Sequence, residues 1–321
     1  MISLLIEKET LMKKALPLIA VLLIFLVGVG VLLYPLISSA VNNIAARQGA
    51  EEYDVSVEEM DTEEIDRMFT SAEAYNESLH RVILTDPFDE ASYGLISEGY
   101  TESLNVDGNG LIGYIDIPKI DVYLPIYHGT SIEVLSVGAG HLEHTALPIG
   151  GESTHCVISA HSAFPTQTFF DYLEELEIGD EFYIHVLNRT LKYVVDDINV
   201  VLPDDTKDLY IIDGEDHCTL LTCTPYSVNT HRLLVRGTRA PYTPESASRT
   251  ETLKFSDGSV FLLGYRVTYL TAGLVIGGFV LFVGVVVFLL IRLRRGKKNE
   301  KSKHSAEKTE EQAPDDSGGE G

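Results

Sequence analysis

The sequence predicts a mainly β domain, an eight-stranded barrel with a helical segment before it, flanked by two membrane-spanning helices. Three observations carry this. Short β-branched or aromatic runs recur about eight times in about 130 residues, with Gly, Pro, Asn and Asp between them. Two long apolar blocks, residues 15–37 and 267–291, bracket everything else. Between the first block and the strands, Ile65, Met68, Phe69, Ala72, Tyr75, Leu79, Val82 and Ile83 follow helical spacing.

A net charge of −24 argues against a nucleic-acid partner, which would want a basic surface. With 45% hydrophobic residues there is enough for a core and for the two blocks besides. Lys13 and Lys14 precede the first block, and Arg47 is the only basic residue for some distance after it. The positive-inside rule then places residues 1–14 in the cytoplasm. Ser38-Ser39-Ala40 would serve as a signal-peptidase site, but the apolar stretch exceeds the usual signal core and reads as an uncleaved anchor. Arg292, Arg294, Arg295, Lys297 and Lys298 follow the second block and put that end inside as well. Both termini are thus expected in the cytoplasm and residues 38–266 outside, making a two-pass protein of the cell membrane. Gly273 and Gly277 form a GxxxG within the second block. The tail, 292–321, starts basic and then has almost nothing to bury, so disorder is expected.

Within the exterior part, Asp61 with Glu64 three residues on makes a capping start for a helix over 61–83. Thr85-Asp86-Pro87-Phe88 ends it, because proline forces extended backbone before it. Residues 89–102 show no period and read as irregular. Strands are expected at 111–117, 122–126, 156–159, 181–187, 191–201, 209–212, 218–222 and 232–237, with a hairpin turn at Leu187-Asn188-Arg189-Thr190. A helix is expected at 168–176, with Phe169, Tyr172, Leu173 and Leu176 on its inner face. The barrel domain then spans 104–240, preceded by a helical segment over 38–103 and followed by a juxtamembrane linker, 241–266. Asn105, Asp107, Asn109 and Asp116 half-match a calcium loop, but Asp-Gly and Asn-Gly are also turn formers, and no metal is expected.

The chemistry points to residues 219–237. Thr219 to Thr222 form one apolar run, Pro225 blocks its continuation, and Leu233 to Val235 start a second run. So short a loop favours an antiparallel return, which brings Cys223 beside Arg232. A thiol near a guanidinium has a reason to ionise, and a thiolate is a nucleophile. The bland alternative is a small buried hydrophobe. His231, His128, His141 and His144 are further candidates for a base, each more readily a histidine with no role.

TCTPYSVNTHRLLVRG, with the upstream NVDGNGLIGYIDIPKIDVYLPIYHGT and LPIGGESTHCVISAH, resembles the class C sortases, the pilus-assembling transpeptidases of Gram-positive bacteria. The resemblance covers about residues 50–240 and implies a sortase-type eight-stranded barrel without cofactor or metal. It implies Cys223 as nucleophile, His161 as general acid/base, and Arg232 as stabiliser of the oxyanion or of the bound signal. Asp86, Pro87 and Phe88 match the family's lid, in which the aspartate meets the arginine and the aromatic covers the cysteine. The implied partners are pilin subunits carrying LPXTG-like signals, joined through a lysine amine. One departure stands out: the family's His-Arg-Gly-Leu-Pro is here His161-Ser162-Ala163-Phe164-Pro165.

If the strands ending at His161 and Cys223 run side by side as in that fold, Cys156 and Cys218 sit at one level, each pointing away from the catalytic face. A disulfide between them is then permitted in an oxidising exterior, with two free thiols as the alternative. His155 and His217 precede them, but alternation sends the histidines to the other face, so a zinc site is not expected. Three other readings differ in what they require. A housekeeping sortase would need neither lid nor second anchor. A non-catalytic surface protein would have no reason to pair Cys223 with Arg232. A papain-like hydrolase would have its cysteine open a helix, whereas Cys223 closes a strand.

Overall fold

The computed structural model describes residues 2–79, 84–89, 98–164, 167–244, 260–262 and 265–267, with short pieces between 273 and 291. Eight strands close a barrel: β1 (Leu111–Ile117), β2 (Val122–His128), β3 (Ala139–His141), β4 (Thr154–Ser159), β5 (Glu181–Val186), β6 (Arg189–Val201), β7 (Asp216–Thr224) and β8 (His231–Ala240). Their order around the wall is β1-β2-β3-β4-β7-β8-β6-β5, and β5 pairs β1 to close it. Only β2/β3 and β4/β7 are parallel; the other contacts are antiparallel. The β4/β7 pairing is the central one, because residues far apart in sequence leave these two strands side by side.

Alternation along the strands sorts the side chains to two faces. Cys156, Ile158, Cys218, Leu220, Leu233 and Val235 join the interior core. Val157, Leu221 and Leu234 face outward into a second apolar cluster with Leu84, Leu142, Leu209 and Phe88. That outer cluster is the floor on which the candidate site lies.

Three helical elements precede the barrel: α1 (Ile2–Glu59), α2 (Thr62–Ser78) and the short α3 (Glu98–Glu102). Asp61 caps α2, its carboxylate accepting from Glu64 N at 2.7 Å, and Glu63 and Glu64 sit in the first turn, where the helix dipole favours them. Ile65, Phe69 and Ala72 of α2 and Ala50, Tyr53 and Val57 of α1 bury into the barrel's own core cluster. Tyr53 fastens α1 to the barrel. Its hydroxyl donates to the Ile112 carbonyl at 2.8 Å and accepts from Leu187 N at 2.8 Å. Tyr100 of α3 does similar work, its hydroxyl accepting from Gly129 N at 3.0 Å and lying 2.8 Å from His141 Nδ1.

Several elements differ from their expected form. The strand expected at 209–212 is a 3-10 turn, Lys207–Leu209, followed by Tyr210, Ile211 and Ile212 at the surface. Apolar content alone does not make a strand where no ladder partner lies alongside. The missing member of the barrel is β3, a three-residue strand, Ala139-Gly140-His141, too short to carry an alternation signal. Its Gly140 is required by close approach, since a Cβ there would stand 2.3 Å from the Gly129 carbonyl oxygen. The helix expected at 168–176 is a chain of bends ending in a 3-10 turn, Leu173–Glu175. There the Asp171 carboxylate takes the N–H groups of Ala163 and Phe169 at 3.0 and 2.9 Å, offering the backbone an alternative to helix. The irregular stretch expected through Glu102 ends in α3, and residues 90–97 lie outside the described ones. Of the expected helix 61–83, residues 80–83 also lie outside them. Within the expected linker a two-stranded sheet forms from β9 (Val260–Leu262) and β10 (Tyr265–Val267).

Among the described residues no single helix is long and apolar enough to cross a membrane. One bent pair, Ala20–Val31 with Leu33–Glu59, meets at 43° and passes on length and composition. Leu23, Ile24, Val27, Val31 and Ile37 of this region are exposed. Most of the 267–291 block and all of the 292–321 tail lie outside the described residues.

Cys156 faces Cys218 in register across β4/β7, both buried inside the barrel. The permitted bridge is not formed: all three cysteines are free thiols. Residues facing one another across a sheet stand about 4.7–4.9 Å apart with parallel side chains, whereas a disulfide needs its Cβ atoms at about 3.5–4.5 Å. Burial holds the Cys218 thiol well above its ordinary range. His155 and His217 lie on the other face, ring centroids 5.6 Å apart.

Two outcomes are expected. Tyr53→Phe strands the buried Leu187 N–H and should cost about 1–3 kcal/mol, read as a fall of several degrees in the melting temperature. Alkylation of the denatured, unreduced protein should count three thiols per chain; a count of one would establish the bridge.

Candidate active site

The β7/β8 ladder ends with Cys223 directly opposite Arg232, one step before Thr224 opposite His231. Both side chains fall on the outer face, and both are nearly buried, Cys223 at 7% and Arg232 at 8% exposed. Arg232 is fixed from below by the carbonyls of Asn229 and His231, which accept from its Nη1 at 3.1 and 3.0 Å. From above it meets Asp86. Arg232 Nε donates to Asp86 Oδ1 at 2.8 Å and Nη2 to Oδ2 at 2.5 Å, a two-point fork. The two side chains are only 10% and 12% exposed, so the pair belongs with buried ion pairs and not with weak surface ones.

Asp86 sits in a strap, residues 84–89, turned by the Asp89 N–H to Asp86 carbonyl bond at 3.1 Å. Leu84 and Phe88 drop into the outer apolar cluster. The Phe88 ring lies under the Arg232 guanidinium, 5.2 Å from its carbon, and 5.4 Å from the His161 ring. Phe88 therefore touches Arg232 and His161 at once.

His161 follows β4 by two residues, where the parallel β4/β7 ladder has ended and three other bonds carry it on. Ala160 N donates to the Leu221 carbonyl at 3.2 Å, Thr222 Oγ1 to the Ala160 carbonyl at 2.8 Å, and Ser162 Oγ to the Cys223 carbonyl at 2.7 Å. These bonds bracket His161 against Cys223. Sequence reasoning missed the roles of Ser162 and Phe164, although it marked both as departures from the family pattern. A narrow cleft lined by Ser162, Asp171, Glu174, Cys223, Tyr226 and Leu233 opens beside the thiol.

The charge state is the reverse of the one expected from the arginine alone. Burial pushes the Cys223 thiol up from 9.0 to about 11; Arg232 pulls it down, and Asp86 adds to the rise. Arg232's charge is engaged by Asp86, so burial wins and the thiol stays protonated. Burial likewise lowers the His161 imidazole below its usual value. With the strap docked, the pair is a neutral thiol and a neutral imidazole.

The other histidines are engaged in the fold. His128 lies against the carbonyls of Gly110 and Ser103, His141 against Tyr100 and Ala146, and His231 against the Thr230 hydroxyl. His144 is exposed at a turn with φ +69°. In the calcium-like stretch, Asp107 accepts from Asn109 N and Asn105 from Gly110 N, both at 2.8 Å, so these side chains build the turn itself. No group of three metal-ligating side chains occurs among the described residues.

Residues 115–240 match the sortase domain family. Sortase C-1 of Streptococcus pneumoniae is 45% identical with a TM-score of 0.58, the match covering 61% of this chain and 100% of that one. The pilus-related sortase C of Group B Streptococcus is 48% identical with a TM-score of 0.57, over 60% of this chain and 97% of that one. The chain belongs to the sortase family.

Its solved neighbours are class C members, over nearly the whole of their resolved chains. Sortase A of Streptococcus agalactiae is 28% identical over 130 residues, 40% of this chain and 52% of that protein. The sortase thus spans about half the length of that curated relative. Those 130 residues are fewer than the sortase's full length, which adds α1, α2 and the strap before the matched domain.

Removing the strap should expose and acidify the thiol of this sortase. In Asp86→Ala/Phe88→Ala the alkylation rate of Cys223 at neutral pH should rise about tenfold or more, since each pKa unit is a factor of ten in thiolate. The linkage has a definite sign. The docked state raises the thiol pKa, so ionisation favours undocking. Docking should be at full strength below about pH 9 and fade as pH approaches about 11. An unchanged rate in the double variant would show that the strap does not control access.

Proposed function

We propose that this sortase is a membrane-anchored cysteine transpeptidase that cleaves an LPXTG-like signal at its Thr–Gly bond and joins pilin subunits through a lysine amine. The observation that carries the reading is Cys223 opposite Arg232, with His161 bracketed beside them and the Asp86–Phe88 strap docked on Arg232 and His161. Similarity to the pilus-related sortase C of Group B Streptococcus supports the choice of pilin as substrate. The apolar blocks with their flanking lysines and arginines support the two anchors and an exterior catalytic domain.

The reaction begins when the strap leaves. Arg232 loses Asp86 and becomes available, and the thiol loses the burial that keeps it protonated. His161 takes the Cys223 proton, the resulting thiolate attacks the threonine carbonyl, and the planar guanidinium of Arg232 holds the developing oxyanion at no protonation cost. His161 gives its proton to the departing glycine amine, leaving a thioester on Cys223. A lysine amine of the next pilin attacks this thioester, His161 takes its proton, and the thiolate departs. A housekeeping sortase would have no need for a strap held by a buried, two-point ion pair.

The test is ligation of a purified pilin into covalent ladders by the full chain in detergent. Cys223→Ala should abolish ladders without lowering the melting temperature appreciably, because it removes a nucleophile and little volume. Arg232→Lys should lose about a hundredfold or more in rate, since a point charge does not reproduce the fork. Ladders from Cys223→Ala would end the sortase reading of this site.

A further inference from the structure

Among the described residues, no hydrogen bond reaches either ring nitrogen of His161. In a nucleophile–base pair the base is ordinarily oriented by a third group that bonds its far nitrogen. Here the imidazole is held by rings. Phe164 stacks on it at 5.4 Å between centroids and 11° between planes, closer to parallel than Phe88 of the strap at 5.4 Å and 34°. Phe164 is itself set by the wall, edge-on to the fully buried Phe169 at 5.3 Å and 66°. Its backbone is pinned on either side. Ser162 bonds the Cys223 carbonyl, Ala163 at φ +60° gives its N–H to Asp171, and Phe170 N bonds the His161 carbonyl at 2.9 Å.

We propose that Phe164 is the positioning residue for His161, taking the place of an orienting carboxylate. Of the two rings on His161, Phe88 belongs to the strap and departs with it, while Phe164 belongs to the barrel wall and stays. The open enzyme therefore relies on Phe164 to keep the imidazole aimed at the amine that leaves and the amine that enters. An aliphatic side chain, as at this position in the family pattern, offers no flat face for the ring. A phenyl at 164 thus suits a loop in which Ser162, and not arginine, follows the histidine. The chemistry rests on the transpeptidase reading, and the orientation of His161 does not.

The test uses the full chain in detergent as Phe164→Leu, Phe164→Ala and Phe164→Tyr, with two readouts. Nuclear magnetic resonance of [13Cε1]-histidine, with His161→Asn identifying the His161 signal, reads its orientation directly. That signal should shift and broaden in the Leu and Ala variants and return in Phe164→Tyr. The second readout compares acylation of Cys223 by an amide signal peptide with acylation by the matching thioester, whose thiolate leaves without a proton. For the amide, the Leu and Ala variants should lose about tenfold or more in kcat with KM within about twofold. For the thioester they should stay within about twofold of the native rate, and Phe164→Tyr should restore the amide reaction. An unchanged His161 signal, an equal loss on both substrates, or failure of tyrosine to rescue would each overturn the proposal. If the native chain cleaves no amide signal, the transpeptidase reading falls, and the His161 signal alone decides the positioning.

Discussion

The two-point bond between Asp86 and Arg232 sets the state of everything around Cys223. While it holds, the guanidinium is turned to a carboxylate, Phe88 is pressed onto His161, and the thiol is buried and protonated. In the transpeptidase reading proposed above, its opening frees the guanidinium and the two site side chains together. The pair is largely buried, so its strength depends on both partners keeping their hydrogen bonds. Removing one partner of such a pair typically costs about 3–5 kcal/mol, because the other charge is left uncompensated. A substrate that displaces the strap must therefore offer Arg232 something in exchange. A backbone carbonyl that becomes an oxyanion does so, most strongly in the transition state.

The barrel wall beneath has to be stiff for this to work, and its stiffness comes from the β4/β7 seam. The seam is parallel and lies between strands distant in sequence, and it is extended past its last ladder bond by Thr222 and Ser162 hydroxyls bonding opposite carbonyls. The same seam divides polar from apolar chemistry by alternation. Cys156 and Cys218 turn inward and face one another in register in the core, while Cys223 turns to the outer face. One register thus places two sulfurs in the core and a third at the surface.

Much of this was legible in the residues themselves. Most of the strand runs, the α2 cap at Asp61, the hairpin turn within Leu187-Asn188-Arg189-Thr190 and the antiparallel return that sets Cys223 beside Arg232 are local features. Each depends on alternation, capping or proline within a few residues. The family pattern added His161 and the strap, which lie 62 and 137 residues from Cys223 and which no local rule connects. Where local reading misled, a tertiary partner was present or missing. Tyr210 to Ile212 look like a strand and have no neighbour to pair with. Ala139 to His141 do not look like one and become β3 because two backbones need to pass close. Residues 168–176 have helical spacing, yet Asp171 turns its carboxylate onto the backbone.

What the sequence determined by itself is seven of the barrel's eight strands, the apolar blocks at either end and the identity of the reactive groups. Their state was decided by the tertiary structure alone. An arginine beside a cysteine argues for a thiolate, but proximity in a sequence says nothing of what else the arginine holds. Asp86 engages its charge, and the desolvation of the buried thiol then outweighs the remaining attraction. The orientation of His161 was decided in the same way, by a ring three residues along whose face is aimed only once the loop is closed on Asp171 and Cys223. Charge balance and ring geometry are sums over neighbours in space, and those neighbours come from the strap, β4, β7 and β8 together.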